Sequence, residues 1–96
     1  MTYNKTFNVA SNYQLTIHVF TLSKSAILCV DSKPMLNPIS GEMETKHFGS
    51  VSLDNSKSMN DVNFEIFRNI FKLFGETINR QQVKKIDEFL NQIKED

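Results

Sequence analysis

His18 and Cys29 are the two side chains whose types could support nucleophilic catalysis, because a thiolate beside an imidazole can form a nucleophile–base pair. They lie in "YQLTIHVFTLSKSAILCV", residues 13–30, which alternates as two strands around a short turn. A turn centred on Ser23 and Lys24 places His18 opposite Cys29, with their Cβ atoms about 4.5–5.5 Å apart. The sequence shows no group to orient the histidine and no oxyanion hole. We therefore interpret the pair as a small buried thiol beside a partly buried histidine, and predict that the chain is not an enzyme and has no catalytic residues.

Candidate ligands for a metal ion are equally sparse. A zinc site needs about four ligands, and only His47 could join that pair. Glu42 and Glu44 share a face of any strand in their segment, and Asp87 and Glu88 have no histidine on their helix. Both acidic pairs are typical of a solvated surface, and three isolated glycines cannot form a phosphate-binding loop. We predict no metal ion and no cofactor.

Arg80, Lys84 and Lys85 form a small basic cluster at the start of the predicted second helix. Positive charge there opposes the helix dipole. The cluster is typical of a solvated face, and the alternative is a contact with an acidic partner. The chain as a whole has eleven basic and eleven acidic side chains. Because neither half forms a basic surface, the composition argues against binding to nucleic acid.

Three features of the sequence indicate the cellular compartment of the protein. No apolar run approaches the roughly 20 residues of a membrane span, and the polar N-terminus lacks the apolar core of a signal peptide. Cys29 is the single cysteine, so no disulfide can form within the chain, which suits a reducing compartment. These features predict a cytoplasmic or nuclear protein that binds no membrane.

The two predicted strands of residues 13–30 have two different faces. One face is uniformly apolar and is predicted to lie in the core, with Val19 opposite Leu28 and Ile17 opposite Val30. The other face mixes apolar and polar side chains: His18, Phe20, Leu22, Ile27 and Cys29. Either the remaining strands cover this face as the second layer of a sandwich, or a partner does, because contiguous exposed apolar area usually marks an interface. We predict that these five residues bind a protein partner.

The whole chain predicts an α+β fold, with an antiparallel sheet of four to five strands followed by two C-terminal helices packed on one face. The strands and the hairpin lie in residues 1–53, including a short strand near 39–45 and a strand over 47–53. The first helix is predicted over 58–75, with Ser58 as its N-cap and Gly75 at its end, and the second over 79–95. Residues 1–96 are predicted to form a single domain.

The two predicted helices differ in the width of their apolar surface. The first is apolar over an arc of about 200°, twice what a helix on a protein surface needs, whereas the second has a stripe of about 120°. The simplest packing places the first helix between the sheet and the second helix. The alternative is that the phenylalanines of the first helix anchor it in a groove of a partner.

The segment "TIHVFTLSKSAILCV", followed by "PML" and "GSVSL", carries a family resemblance in its spacing. The positions that match are His18, Val19, Leu22, Ser25, Leu28 and Val30. On these residues the chain resembles the proteasome assembly chaperone 4 family over about residues 6–53, and more weakly in the helix that ends at Gly75. The family has a further strand between its two helices, for which "ETIN" leaves no room.

The resemblance implies a non-catalytic chaperone that pairs with a structurally similar subunit and helps to assemble the α-ring of the 20S proteasome. It also implies that no cofactor is needed. We therefore predict a protein–protein interaction module that works as a dimer, with itself or with a similar subunit. The alternative is a small accessory, inhibitor or immunity-type protein that binds a single partner enzyme, and the identity of the partner separates the two.

Overall fold

The computed structural model describes residues 2–54 and 58–93. Their strands, in chain order, are β1 (Thr2–Phe7), β2 (Tyr13–Phe20), β3 (Ser25–Ser32), β4 (Met35–Leu36), β5 (Met43–Glu44) and β6 (His47–Leu53). Two helices follow, α1 (Met59–Phe74) and α2 (Arg80–Asn91), joined by a 3-10 turn at Gly75–Thr77. The predicted α+β class is confirmed.

The main sheet has four antiparallel strands in the order β1-β2-β3-β6. Successive side chains of a strand point to opposite faces, so every second residue of β2 faces the helices. Leu15, Ile17 and Val19 on β2 are fully buried, as are Ala26 and Leu28 on β3. This alternation is why one side of the sheet forms the core.

The register of the β2–β3 hairpin differs from the predicted one by two residues. Val19 pairs with Ala26 and Ile17 with Leu28, because the loop spans residues 21–24 and is not centred on Ser23 and Lys24. Lys24 at the end of this loop has a φ of 51°, a left-handed conformation that is uncommon for residues other than glycine. A shift of two residues keeps each side chain on its predicted face. The two faces are therefore as predicted, although their pairings are not.

The predicted strand near 39–45 is wrong in its extent. Only Met43–Glu44 is a strand there, and it pairs with Met35–Leu36 in a separate two-stranded sheet. Two prolines and a glycine in residues 34–41 limit the length of regular structure in this segment. The result is a short hairpin inserted between β3 and β6.

Helix α1 begins where its capping residue predicts. The Oγ of Ser58 accepts a hydrogen bond from the backbone N–H of Asp61, at 3.2 Å. At the other end Gly75 has a φ of 53°, in the region that favours glycine. The buried side chains of α1 that face the sheet are Val62, Ile66, Ile70 and Phe74.

Ser58→Ala tests this cap. The variant leaves one N–H of the first turn without its side-chain acceptor, and we expect the free energy of unfolding to fall by about 1 kcal/mol. Urea unfolding followed by circular dichroism measures the loss. Ser58→Asp keeps an acceptor oxygen and should stay close to the wild type; equal losses in both variants would contradict a capping role.

The packing predicted for the helices is wrong, because α2 does not lie on top of α1. Helix α2 reaches the sheet itself: the rings of Phe7 on β1 and Phe89 on α2 are 5.7 Å apart, edge to face. The backbone N–H of Asn79 also donates to the carbonyl oxygen of Val9, at 2.8 Å. Both helices therefore lie side by side on one face of the sheet. Helix α2 ends at Asn91, whereas the prediction ran to 95, and residues 94–96 lie outside the described ranges.

Candidate protein-binding site

The face of the main sheet that points away from the helices is called the open face. It carries four of the five predicted partner-binding residues, namely His18 and Phe20 on β2 and Ile27 and Cys29 on β3. All four are half-buried, and Leu22, in the loop between these strands, is 82% exposed. Four of the five residues therefore share the open face between the middle of the hairpin and its loop, and Leu22 lies in the loop itself.

The possibility that the chain's own strands cover this face is contradicted. The four long strands, β1, β2, β3 and β6, all belong to the same sheet, so none of them can form a second layer over it. The other strands in the described ranges, β4 and β5, are two residues long each and pair only with each other. Both helices lie on the opposite face, against the buried residues of β2 and β3.

The predicted pairing of His18 with Cys29 is wrong. His18 lies between Asn4 and Ile27, and Cys29 lies between Thr16 and Ser50. His18 and Cys29 are diagonal neighbours on two strands, and such residues are about 7–8 Å apart. His18 and Cys29 both lie in the described part of the chain, and no hydrogen bond joins them. The geometry therefore brings imidazole and thiol to one face but not into a nucleophile–base contact.

The open face is almost free of charge. Lys5 and Asp31 are the only lysine, arginine, aspartate or glutamate in β1, β2, β3 and β6. Lys5 alternates with the open-face residues of β1, and its Nζ lies 5.6 Å from the ring of the core residue Phe7. Asp31 lies at the far end of β3, where its Oδ1 is 2.7 Å from Nδ1 of His47. A single carboxylate, already hydrogen-bonded, is all the formal charge that this face presents.

Short hydroxyl and amide side chains surround the apolar residues of the open face. Thr6 and Thr16 join β1 to β2 through their hydroxyl groups, at 2.8 Å. On the other side, Ser50 and Ser52 of β6 flank Cys29 and Ile27. Small polar side chains leave a sheet surface flat, so that a second flat surface can approach it closely.

A cavity of about 420 Å³ lies at the opposite end of β2 from Leu22. Its walls include Tyr13, Val30, Leu73 and Phe74, and its polar groups are hydroxyls and an amide from residues 11–13 and 77. No histidine, cysteine, acid or base lines it. It is therefore an apolar recess, and of the residues that line it only Tyr13 is of a type that acid–base chemistry uses.

Within residues 2–54 and 58–93, no group of three or more histidine, cysteine, aspartate or glutamate side chains could hold a metal ion. The acidic residues discussed above, Glu42, Glu44, Asp87 and Glu88, are exposed, as are Arg80, Lys84 and Lys85. In the same described ranges, neither helix is long and apolar enough to cross a membrane.

Two further apolar surfaces are exposed. The first, the β4–β5 hairpin, was not predicted from the sequence. The second, the outer side of α1, where Phe64 is 67% and Phe71 48% exposed, was considered only as the alternative for the first helix. The wide apolar arc of α1 was the sequence signal for this second surface.

Comparison with family models, curated proteins and solved structures finds no match to this chain. The resemblance to the proteasome assembly chaperone 4 family therefore stays a prediction.

Proposed function

We propose that this chain is a non-catalytic protein–protein interaction module whose open face binds another protein subunit. The observation that carries the proposal is the lack of cover on this face by any long strand or helix of the described chain, although it presents Phe20, Ile27 and Cys29. Four strands about 4.8 Å apart, with about seven residues each at about 3.4 Å per residue, give a face of roughly 19 by 24 Å. Burying its apolar side chains against a partner stabilises a complex by the hydrophobic effect.

The chemistry of the open face fits a second flat, uncharged surface. Sheets that pack face to face lie about 10 Å apart and interdigitate side chains from their two inner faces. A partner with a charged surface would leave its charges unpaired against the open face, which is costly. A subunit with a similar sheet avoids that cost. The resemblance of residues 13–30 to the proteasome assembly chaperone 4 family points the same way, toward a chaperone subunit that works as a dimer during assembly of the 20S α-ring.

Phe20→Glu tests the proposal. Phe20 is half-buried on the open face, so a glutamate there can reach water in the free chain but would be buried without a partner charge in the complex. We expect the mass of the assembly, measured by light scattering, to fall by half, with an unchanged circular dichroism spectrum.

The matched control is Asn60→Glu, which adds the same charge to the exposed first turn of α1. It should leave the mass of the assembly as it is. A Phe20→Glu chain that has the mass of the wild type and captures the same proteins as the wild type would sink the proposal. Affinity capture with the wild type, using Phe20→Glu as the negative control, then distinguishes α-ring subunits from a single enzyme as the bound protein.

A further inference from the structure

The β4–β5 hairpin, residues 34–45, is called the arm. It forms a two-stranded sheet separate from the main sheet. Its large apolar side chains are all exposed, with Ile39 at the tip 96% exposed. The others are Met35, Leu36 and Met43. A two-stranded hairpin by itself is marginally stable in water, so an arm that presents four apolar side chains is expected to lie against another surface.

Asn37 holds the tip of the arm in one conformation. Its Oδ1 accepts hydrogen bonds from the backbone N–H groups of Ile39 and Ser40, at 2.8 and 3.4 Å. Its own N–H donates to the carbonyl oxygen of Glu42, at 2.8 Å, and its Nδ2 donates to the carboxylate of Glu44, at 3.0 Å. Because the tip is organised before binding, little conformational entropy is lost when Ile39 is buried.

A groove between α1 and α2, called the helical groove, has a volume of about 880 Å³ and offers a surface on which the arm could lie. Phe71, Ile78 and Val83 provide its apolar lining, and Arg80 and Glu76 lie at its rim. Phe67 stacks on Phe71 with a centroid distance of 6.5 Å, and Phe64 continues the same side of α1. The groove is therefore a row of apolar side chains without cover from the described parts of the chain.

The outer part of the arm and the helices beside the groove differ in charge. The arm carries Glu42 and Glu44, whereas Lys33 and Lys46 flank its base. The groove itself is lined by one acidic and one basic side chain, Glu76 and Arg80. The helical residues 66–86 around it contain five basic side chains, and acidic residues follow at both ends, at 65, 87 and 88. A contact of Glu42 with a basic side chain beside the groove would place opposite charges at the rim of an apolar centre, which is the arrangement that specific interfaces use.

Three of the five basic side chains are available for such a contact. Lys72, Arg80 and Lys84 make no ion pair within residues 2–54 and 58–93. Of the other two, Arg68 is paired with Glu65 at 3.4 Å, and Lys85 lies on the side of α2 that faces β1. Three basic side chains beside the groove therefore make no ion pair with the described residues, and Arg80 shares the rim with Glu76.

The arm and the groove lie at the same end of the molecule. The arm starts and ends where the backbone groups of Ser32 and Lys46 bond to each other, at 2.7 Å. Ser32 pairs with Tyr13, whose ring is 6.5 Å from that of Phe74 at the end of α1. Two copies related by a two-fold axis near this end can therefore each place an arm on the other, which doubles the contact that one arm makes.

We propose that two copies of this chain exchange their arms, so that the arm of each copy lies in the helical groove of the other with Ile39 against Phe71 and Val83. This interface is separate from the open face and goes beyond the proposed function. The experiment therefore uses the Phe20→Glu chain as its background. Light scattering and sedimentation equilibrium should show this chain as a dimer held by its arms.

Ile39→Asp places a charge on the binding surface of the arm, and Phe71→Asp places one in the helical groove. Both change exposed side chains. In the Phe20→Glu background each change alone should weaken dimerisation at least about tenfold, as expected for a buried, unpaired carboxylate. A mixture of the two variant chains restores one intact arm–groove contact, and should therefore dimerise more tightly than either variant alone. Asn60→Asp is the matched control, because it adds the same charge at an exposed position in the first turn of α1, outside the arm and the helical groove; it should not weaken the dimer.

Charge exchange tests the electrostatic part of the proposal. Glu42→Lys and Arg80→Glu should each weaken the dimer, and the chain with both changes should recover at least part of the loss. A monomeric Phe20→Glu chain, or a mixture no tighter than its components, overturns arm exchange and leaves the open-face proposal intact. A Phe20→Glu chain that has the mass of the wild type and captures the same proteins contradicts the open-face proposal instead, and Ile39→Asp in the wild-type background should then give a monomer.

Discussion

Val19→Asp should leave most of the chain unfolded at pH 7, whereas Phe20→Glu, at the next residue, should leave it folded. Val19 is fully buried between the sheet and the helices, and Phe20 is half-buried on the open face. Burial raises the pKa of a carboxyl group by as much as about 3–5, which costs about 4 kcal/mol at pH 7, because a larger increase lets the group bind a proton instead. Loss of the buried valine adds about 1.5–3 kcal/mol. A chain of 96 residues has a stability of about 5–14 kcal/mol, so the summed loss reaches the lower half of that range.

The dependence on pH gives this prediction a second signature. The carboxyl group of Val19→Asp would have a higher pKa in the folded state than its value of about 3.9 in the unfolded state. The folded state therefore binds the proton more tightly, and the penalty is absent below about pH 4 and grows as the pH rises above it. We expect the difference in urea midpoint between Val19→Asp and Val19→Ala to be larger at pH 7 than at pH 4.5.

Val19→Ala is the control for lost packing, since it removes side-chain volume without adding charge. Circular dichroism and urea unfolding of the three variants at the two pH values complete the test. If Val19→Asp and Phe20→Glu lose similar stability, the two faces of β2 are equally buried and the open face described here does not exist.

The two faces of the hairpin could be predicted because they depend only on the period of a strand. Alternation placed Val19 on one face and Phe20 on the other, and an error of two residues in register left both assignments intact. The register itself depends on the conformation of the loop. Lys24 adopts a positive φ there, and a lysine gives no sign of that conformation in the sequence.

The start of α1 was predictable for a different reason, since capping is a local interaction. Ser58 binds a backbone N–H three residues away, so the residues that decide the helix start are adjacent in sequence. The packing of the helices was not predictable. A wide apolar arc on α1 shows that much apolar surface exists, but not whether a second helix covers it or leaves Phe64 and Phe71 exposed.

The candidate site, too, could be predicted from the sequence only in part. Alternation showed that His18, Phe20, Ile27 and Cys29 share a face, which needs only the strand period. Whether the face is covered depends on the pairing of β1 and β6, which are distant in sequence and both join the same sheet. The charge pattern of the arm and the helical groove was likewise readable from the sequence, but their exposure and their closeness at one end of the molecule needed the fold.

Phe7→Ala should lower the free energy of unfolding by about 3–5 kcal/mol, as truncation of a buried phenylalanine does. Phe7 is 2% exposed, and its ring meets that of Phe89 edge to face at 5.7 Å. This contact is one of the points where α2 packs on β1, so the loss should be concentrated there. Ile86 and Leu90 of α2, both buried, should lose amide protection in hydrogen exchange more than the β2 and β3 strands do.

Phe7→Leu separates loss of the ring contact from loss of volume. It keeps most of the apolar side chain but removes the edge-to-face pair, which contributes about 0.5–1.5 kcal/mol beyond its buried area, so it should be clearly more stable than Phe7→Ala.

Hydrogen exchange of Phe7→Ala also decides between the two arrangements of the helices. If α2 rested on α1, as its narrow apolar stripe first suggested, Phe7 on the edge strand β1 would not contact it, and Phe7→Ala would leave the amides of α2 as protected as those of α1. Preferential deprotection of α2 requires that it pack directly on the sheet, and that packing is what leaves Phe64 and Phe71 of α1 free to meet a partner.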